Sequence, residues 1–160
     1  SQTRRLVQDA REALAGGDDA QAEALLEEAV ALEPANPEAD LLLAKLVVFK
    51  DPARATQLSH THGADFAEAE AVRRVAGALT EGAPSDPPED AARLPYAAAI
   101  AALQDGDADV ALSQLVDSVR RNRHFHDEAA RKLALALFSV LGDKHPLTQK
   151  HRRALERALF

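Results

Sequence analysis

The residues with the most obvious chemical potential are two His-x-His pairs, His60/His62 and His124/His126. Side chains two positions apart on a helix diverge by about 200°, so either pair could chelate a metal only from an extended loop. Neither pair is accompanied by an HExxH motif or by a third ligand at helical spacing. We therefore predict no metal site. We expect these histidines to face solvent or to cap helices, with Asp127 capping the helix that follows the second pair.

Other catalytic arrangements are equally poorly represented. The chain has no Cys, and neither Ser113 nor Ser118 lies in a G-x-S-x-G turn. Carboxylates recur at i, i+4 spacing, as in Glu23 and Glu27, which is typical of a solvated helix face rather than of a buried acid–base pair. We predict that the protein is not an enzyme and binds no cofactor.

The elements that carry these residues are predicted to be helices. The 160 residues include 35 Ala and 22 Leu but only 10 Val and a single Ile, too few β-branched side chains to build a sheet core. No apolar run reaches the roughly 20 residues of a membrane span, and the N-terminal residues are charged and lack the apolar block of a signal peptide. We expect a soluble, cytoplasmic protein. Because a helical pattern begins directly after Ser1, we also expect the sequence to be a fragment of a longer chain.

Glycine, proline and capping residues divide the chain into nine predicted helices joined by short connections, which implies antiparallel neighbours. Their predicted ranges are 3–15, 19–33, 37–49, 52–59, 65–81, 89–104, 109–121, 127–141 and 146–160. The connector at 83–88, APSDPP, separates a segment 1–82 from a segment 89–160.

One helix–turn–helix pattern occurs twice, at a separation of 89 residues. Several positions of the first copy carry the same residue in the second. In the first copy they include Ala10, Leu14, Gly17, Asp18, Ala22, Leu26 and Val30, which correspond in the second to Ala99, Leu103, Gly106, Asp107, Ala111, Leu115 and Val119. The alanines of this pattern, Ala10 and Ala22 and their counterparts, let antiparallel helices approach closely. A single hairpin cannot bury its apolar face, so such units are expected to stack.

The run GDDAQAEALLEEAVALEPANPEA resembles a tetratricopeptide (TPR) unit, with Gly17-Asp18 at the turn, then Ala22, Leu26 and Ala29, and Pro34 at the end. A second unit is degenerate, and a third has Arg123 in place of the closing proline. The resemblance implies an all-α, TPR-like right-handed superhelix of about nine antiparallel helices, with residues 1–160 forming a single domain.

The stretch RRNRHFHDEAARKLALALFSVLGDKHPLTQKHRRALERALF is similar to the C-terminal end of chaperedoxins of the CnoX type. In that bacterial family a thioredoxin fold precedes a TPR-like domain, so the resemblance implies an N-terminal thioredoxin domain in the full-length chain. It also implies a co-chaperone that holds unfolded clients and docks to a GroEL-type chaperonin through its terminal helix.

The predicted terminal helix, 146–160, is the main candidate binding element. Its apolar stripe either packs back on Phe138 and Leu141 or docks on a partner, and both readings stay open. For docking, we expect Leu155, Leu159 and Phe160 to be anchors, with Arg152 and Arg153 steering by charge. The alternative is a generic TPR scaffold that binds a dedicated protein partner or self-associates.

Charge and composition argue against nucleic acid as a partner. Residues 1–114 carry a net charge of −12 and residues 115–160 one of +5, so the whole chain is acidic at −7. Aromatic residues for base stacking are scarce. A clamp for a peptide carboxylate is also not expected, because the only two Asn, Asn36 and Asn122, fall in predicted turns. Proteins are therefore the expected partners.

Overall fold

The computed structural model describes residues 1–160 and contains nine α-helices and no β-strand. The helices are α1 (Gln2–Ala15), α2 (Asp19–Leu32), α3 (Pro37–Val47), α4 (Pro52–Ser59), α5 (Phe66–Glu81), α6 (Arg93–Gln104), α7 (Ala108–Arg121), α8 (Ala129–Leu141) and α9 (Pro146–Leu159). The predicted all-α class and the number of helices are confirmed. None of the helices is both long and apolar enough to cross a membrane.

Most helices begin where a short polar side chain can accept the free backbone N–H groups of the first turn. Each cap accepts a hydrogen bond from the backbone N–H three residues further on, and the capping residues are Ser1, Asp18, Asn36, Asp51 and Asp107. Proline occupies the first turn of α3, α4 and α9, where its missing N–H has no cost. These local signals explain why several predicted boundaries agree with the structure to within a residue.

The prediction that Asp127 caps α8 is wrong. Residues His126, Asp127 and Glu128 all adopt positive φ values of 47°, 56° and 61°, whereas a capping residue normally has extended backbone. The Asp127 carboxylate instead accepts a hydrogen bond from Lys132 Nζ at 2.8 Å, and its pKa is lowered chiefly by this bond. The helix starts only at Ala129, because a left-handed turn precedes it.

The predicted start of α6 is also wrong, by four residues. Residues 87–92 form hydrogen-bonded turns rather than helix: the backbone N–H of Ala92 donates to Asp90 Oδ1 at 2.9 Å and that of Arg93 to the Asp90 carbonyl at 3.1 Å. The side chain of Asp90 thus competes with helical hydrogen bonding, as aspartate commonly does.

The chain divides into two compact units, residues 1–73 (unit 1) and 74–160 (unit 2). In unit 1, α1 pairs with α2, α2 with α3, and α3 with α4. Alanines at the helix contacts are fully buried and allow close approach, with Leu26 and Leu43 filling the space around them. In unit 2, α6 pairs with α7, while α8 and α9 pack on α7 and on each other around Leu115, Leu137 and Phe138.

Candidate protein-binding surfaces

The terminal helix α9 is fixed to unit 2 by one face. Thr148, His151 and Leu155 are buried there, and Leu155 is only 2% exposed. The spacing of these three residues places them on one side of the helix, toward α7 and α8. Leu155 is thus a core residue, and a partner docking on the folded domain cannot reach it.

A polar contact between α7 and α9 supplements this packing. His151 Nε2 lies 2.6 Å from Asp109 Oδ1, and Lys150 Nζ donates to the same oxygen at 3.1 Å. The hydrogen bond with His151, followed by that with Lys150, lowers the pKa of Asp109 below its ordinary value. Asp109 also lies in the first turn of α7, where the helix dipole favours a negative charge.

Arg152 links α9 to α8. Its guanidinium donates to Asp143 Oδ1 at 2.9 Å and lies 5.5 Å from the centre of the Phe138 ring. An exposed cation–π contact of this kind contributes about 0.5–1 kcal/mol. The predicted terminal helix therefore packs back toward Phe138, as one of the two readings expected, and Arg152 is engaged within the domain.

The opposite side of α9 faces solvent. We call Gln149, Arg153, Arg157 and Phe160 the α9 outer face, because their spacing places them on one side of the helix. Phe160 is fully exposed, and neither arginine has an ion-pair partner. Leu159 is half-buried at the edge of this surface. Arg157 did not enter the predicted site, although its i, i+4 relation to Arg153 would have placed it there.

A second surface lies in unit 1. A groove of about 320 Å³ runs between α1, α3 and the residues that lead into α5. Leu41 and Leu42 supply apolar contacts, and we call the cavity the unit 1 groove. Two ion pairs cross it, Arg11 with Glu38 and Lys45 with Glu68, each with 2.6 Å between nitrogen and oxygen. The unit 1 groove therefore presents positively and negatively charged side chains beside apolar surface, as peptide-binding grooves do.

Neither asparagine is placed to hold a peptide carboxylate. Asn36 caps α3, its Oδ1 accepting from the backbone N–H of Ala39 at 3.0 Å. Asn122 ends α7 and donates from Nδ2 to Asp90 Oδ2 at 2.8 Å. Both lie at helix ends, as the sequence predicted.

The histidine pairs occupy turns. His60 follows the last residue of α4, and His126 Nε2 lies 2.5 Å from the carbonyl oxygen of Asp86. No group of three or more His, Cys, Asp or Glu residues is arranged to hold a metal ion. His145 was not among the expected caps, yet its Nδ1 accepts from the backbone N–H of Leu147 at the start of α9.

Paired antiparallel helices with buried alanines at their contacts define a helical-repeat protein. A family model described as Tetratricopeptide repeat matches residues 76–160, which is more than half of the chain. The chain belongs to the tetratricopeptide repeat family, whose domains bind other proteins. No curated protein matches the sequence, and no solved structure matches it.

Proposed function

We propose that this domain is the protein-binding part of a cytoplasmic, non-enzymatic co-chaperone that holds unfolded clients and docks to a GroEL-type chaperonin through the α9 outer face. The proposal takes its partner from the resemblance to chaperedoxins of the CnoX type, and with it the expectation of a thioredoxin domain in the full-length chain. The observation that carries it is the full exposure of Phe160 beside two unpaired arginines.

The two sides of α9 have separate roles in this proposal. The side with His151 and Leu155 holds the helix on the domain, which keeps the outer face in one orientation without any partner. A pre-ordered helix pays less conformational entropy on binding than a disordered tail would. Phe160 then acts as the aromatic anchor in an apolar pocket of the partner.

Arg153 and Arg157 favour an acidic rim around that pocket. Exposed cations of this kind raise the association rate and the salt dependence of binding more than the affinity. Of the anchors and steering residues that the sequence predicts, Arg153, Leu159 and Phe160 are accessible for this contact, with Leu159 contributing only its exposed edge.

Client holding is assigned to the unit 1 groove. Its leucines offer apolar contact to an unfolded segment, and its two ion pairs offer hydrogen bonds to the segment's polar groups. The same groove also favours the second candidate function, a TPR scaffold for one dedicated peptide partner, since paired charges at fixed positions can select a sequence.

The docking proposal is tested by chaperonin pull-down with the variants Phe160→Ala and Arg153→Glu/Arg157→Glu. We expect Phe160→Ala to weaken recovery at least tenfold, as loss of an interface anchor does. The double charge reversal should weaken binding most at low salt. Lys144→Glu is the matched control, because Lys144 is an exposed cation outside the α9 outer face. Equal recovery of all variants would contradict docking through α9.

Client holding is tested separately, by suppression of aggregation of an unrelated unfolding protein. Leu42→Glu in the unit 1 groove should abolish suppression in a holdase, and Phe160→Ala should leave it unchanged. A domain that suppresses no aggregation but binds one peptide tightly, with loss of binding in Leu42→Glu, would favour the dedicated scaffold instead.

A further inference from the structure

The two duplicated hairpins, α1–α2 and α6–α7, differ at one equivalent surface. In the second hairpin a groove of about 480 Å³ is lined in part by residues 88–91, which include Glu89 and Asp90, and by Arg93 and Pro95. Its other four lining residues lie on the helix faces: Leu94 and Ala98 of α6, and Gln114 and Arg121 of α7. We call these four residues the hairpin 2 groove. Leu94 is 66% exposed.

The same positions in the first hairpin, 89 residues earlier, are Arg5 and Asp9 of α1 and Leu25 and Leu32 of α2. We call these four residues the hairpin 1 face. Leu32 is 50% exposed and Leu25 is half-buried. The polar and apolar halves are therefore exchanged: the first helix is polar in hairpin 1 and apolar in hairpin 2, and the second helix is the reverse.

This exchange makes the two surfaces complementary. Two hairpins can pack face to face when they are related by a 180° rotation about an axis parallel to their helices. In that arrangement the first helix of one hairpin lies opposite the second helix of the other. Leu25 and Leu32 of α2 then meet Leu94 and Ala98 of α6, so both apolar halves are removed from water together. In this contact α2 presents two leucines at i, i+7 spacing, and α6 presents a leucine and an alanine. The small alanine lets the two helices approach closely.

Two of the polar pairs around these strips are matched and one is not, because the same arrangement sets Arg5 of the hairpin 1 face opposite Arg121. Glu33, next to Leu32, is exposed and accepts a hydrogen bond from the side chain of Asn36. Arg93, next to Leu94, forms no ion pair within the chain, and its Nε donates to the carbonyl oxygen of Pro88. In the same arrangement Gln114 lies opposite Asp9, to which its amide can donate. Arg121 is already neutralised by Asp117, whose Oδ2 accepts from Nε at 3.1 Å.

From this complementarity we propose that the occupant of the hairpin 2 groove is the hairpin 1 face of a second copy of this chain. Each chain carries both surfaces, so one such contact joins two chains and leaves a second face and a second groove for further contacts. The contact uses neither α9 nor the unit 1 groove.

The test is sedimentation of the 160-residue chain at increasing concentration. The weight-average mass of the wild type should rise above the 17.1 kDa of one chain. Leu32→Asp and Leu94→Asp should each weaken self-association at least tenfold, because a carboxylate then meets an apolar strip. Leu135→Asp is the matched control, as Leu135 is an exposed leucine of α8 outside both surfaces.

Mixing supplies the decisive result. The Leu32→Asp chain keeps an intact groove and the Leu94→Asp chain keeps an intact face, so an equimolar mixture should form a dimer that neither variant forms alone. The pair Glu33→Arg and Arg93→Glu should likewise weaken association singly and restore it in one chain. A wild type that stays at 17.1 kDa up to millimolar concentration overturns the proposal. So does an equal effect of Leu135→Asp, or a mixture without heterodimer.

Discussion

His151 and Asp109 form a hydrogen bond of 2.6 Å between α9 and α7, with the imidazole almost fully buried and the carboxylate half exposed. The bond holds the terminal helix to the hairpin α6–α7. Because it also stabilises the ionised form of Asp109, it makes the attachment of α9 sensitive to acid.

The pKa of Asp109 lies below its ordinary value in the folded protein, mainly through His151 and then Lys150. The stabilisation is therefore fully present above the pKa of an unfolded aspartate, about 3.9, and is lost as the pH falls through the lowered folded value. We predict that Asp109→Asn flattens the loss of stability below about pH 4. Urea unfolding at pH values from 6 to 2 measures the free energy of unfolding of the wild type and of Asp109→Asn, with Asp105→Asn as the control. An unchanged acid limb in Asp109→Asn would contradict the prediction.

Leu155 was expected to contact a partner but is buried against α7 and α8. We predict that Leu155→Ala lowers the free energy of unfolding by about 2–5 kcal/mol, through lost apolar contacts and the cavity left behind. Phe160→Ala removes a larger side chain that is fully exposed, and should change stability by less than about 0.5 kcal/mol. Denaturant titration of both variants checks this. Similar losses for the two would mean that α9 is not packed as described.

Gly106 has a φ of 79° in the turn between α6 and α7. A Cβ there would meet nothing within 4 Å, so any cost of Gly106→Ala is conformational rather than steric. We predict a loss of about 1–2 kcal/mol in the free energy of unfolding. Gly16 provides the matched control, since its φ is −85° and an added Cβ finds ordinary contacts at 3.6 Å. If Gly16→Ala costs as much as Gly106→Ala, the left-handed conformation is not the cause.

Ala22 is fully buried between α1 and α2, while Ala24 two residues further is exposed. We predict that Ala22→Leu destabilises the protein by about 1–3 kcal/mol, because the larger side chain forces the two helices apart. Ala24→Leu should be nearly neutral, since both residues favour a helix and the side chain stays in solvent. Thermal unfolding of the two variants distinguishes them, and equal melting temperatures would show that the helices do not need a small residue here.

The repeated hairpin was predictable because its determinants are local. Gly17 and Gly106 adopt φ values of 80° and 79°, and the aspartate after each glycine donates its backbone N–H five residues back at 2.8 Å. The same aspartates cap the following helices. A turn of this kind depends on a few consecutive residues, so identical sequence letters produce identical geometry.

The capping rules failed where an aspartate has a competing partner. Asp127 looked like a helix cap, but Lys132 takes its carboxylate and the preceding backbone turns left-handed. The start of α6 moved to Arg93 because Asp90 binds its own neighbouring backbone, and also Asn122 from the end of α7. Asp90 and Asn122 are 32 residues apart in the sequence, so capping rules that act over a few residues could not predict their contact.

By itself, the sequence determined that this protein is all-helical, where most of its helices begin and end, and that one hairpin occurs twice. Those features follow from helix propensity, glycine conformation and capping, which act over a few residues. Only the tertiary structure decided which face of α9 is buried, so that Leu155 joins the core while Arg153 and Phe160 stay accessible. The reason is that burial depends on which helices meet, and the residues that face each other across α7, α8 and α9 are far apart in the chain.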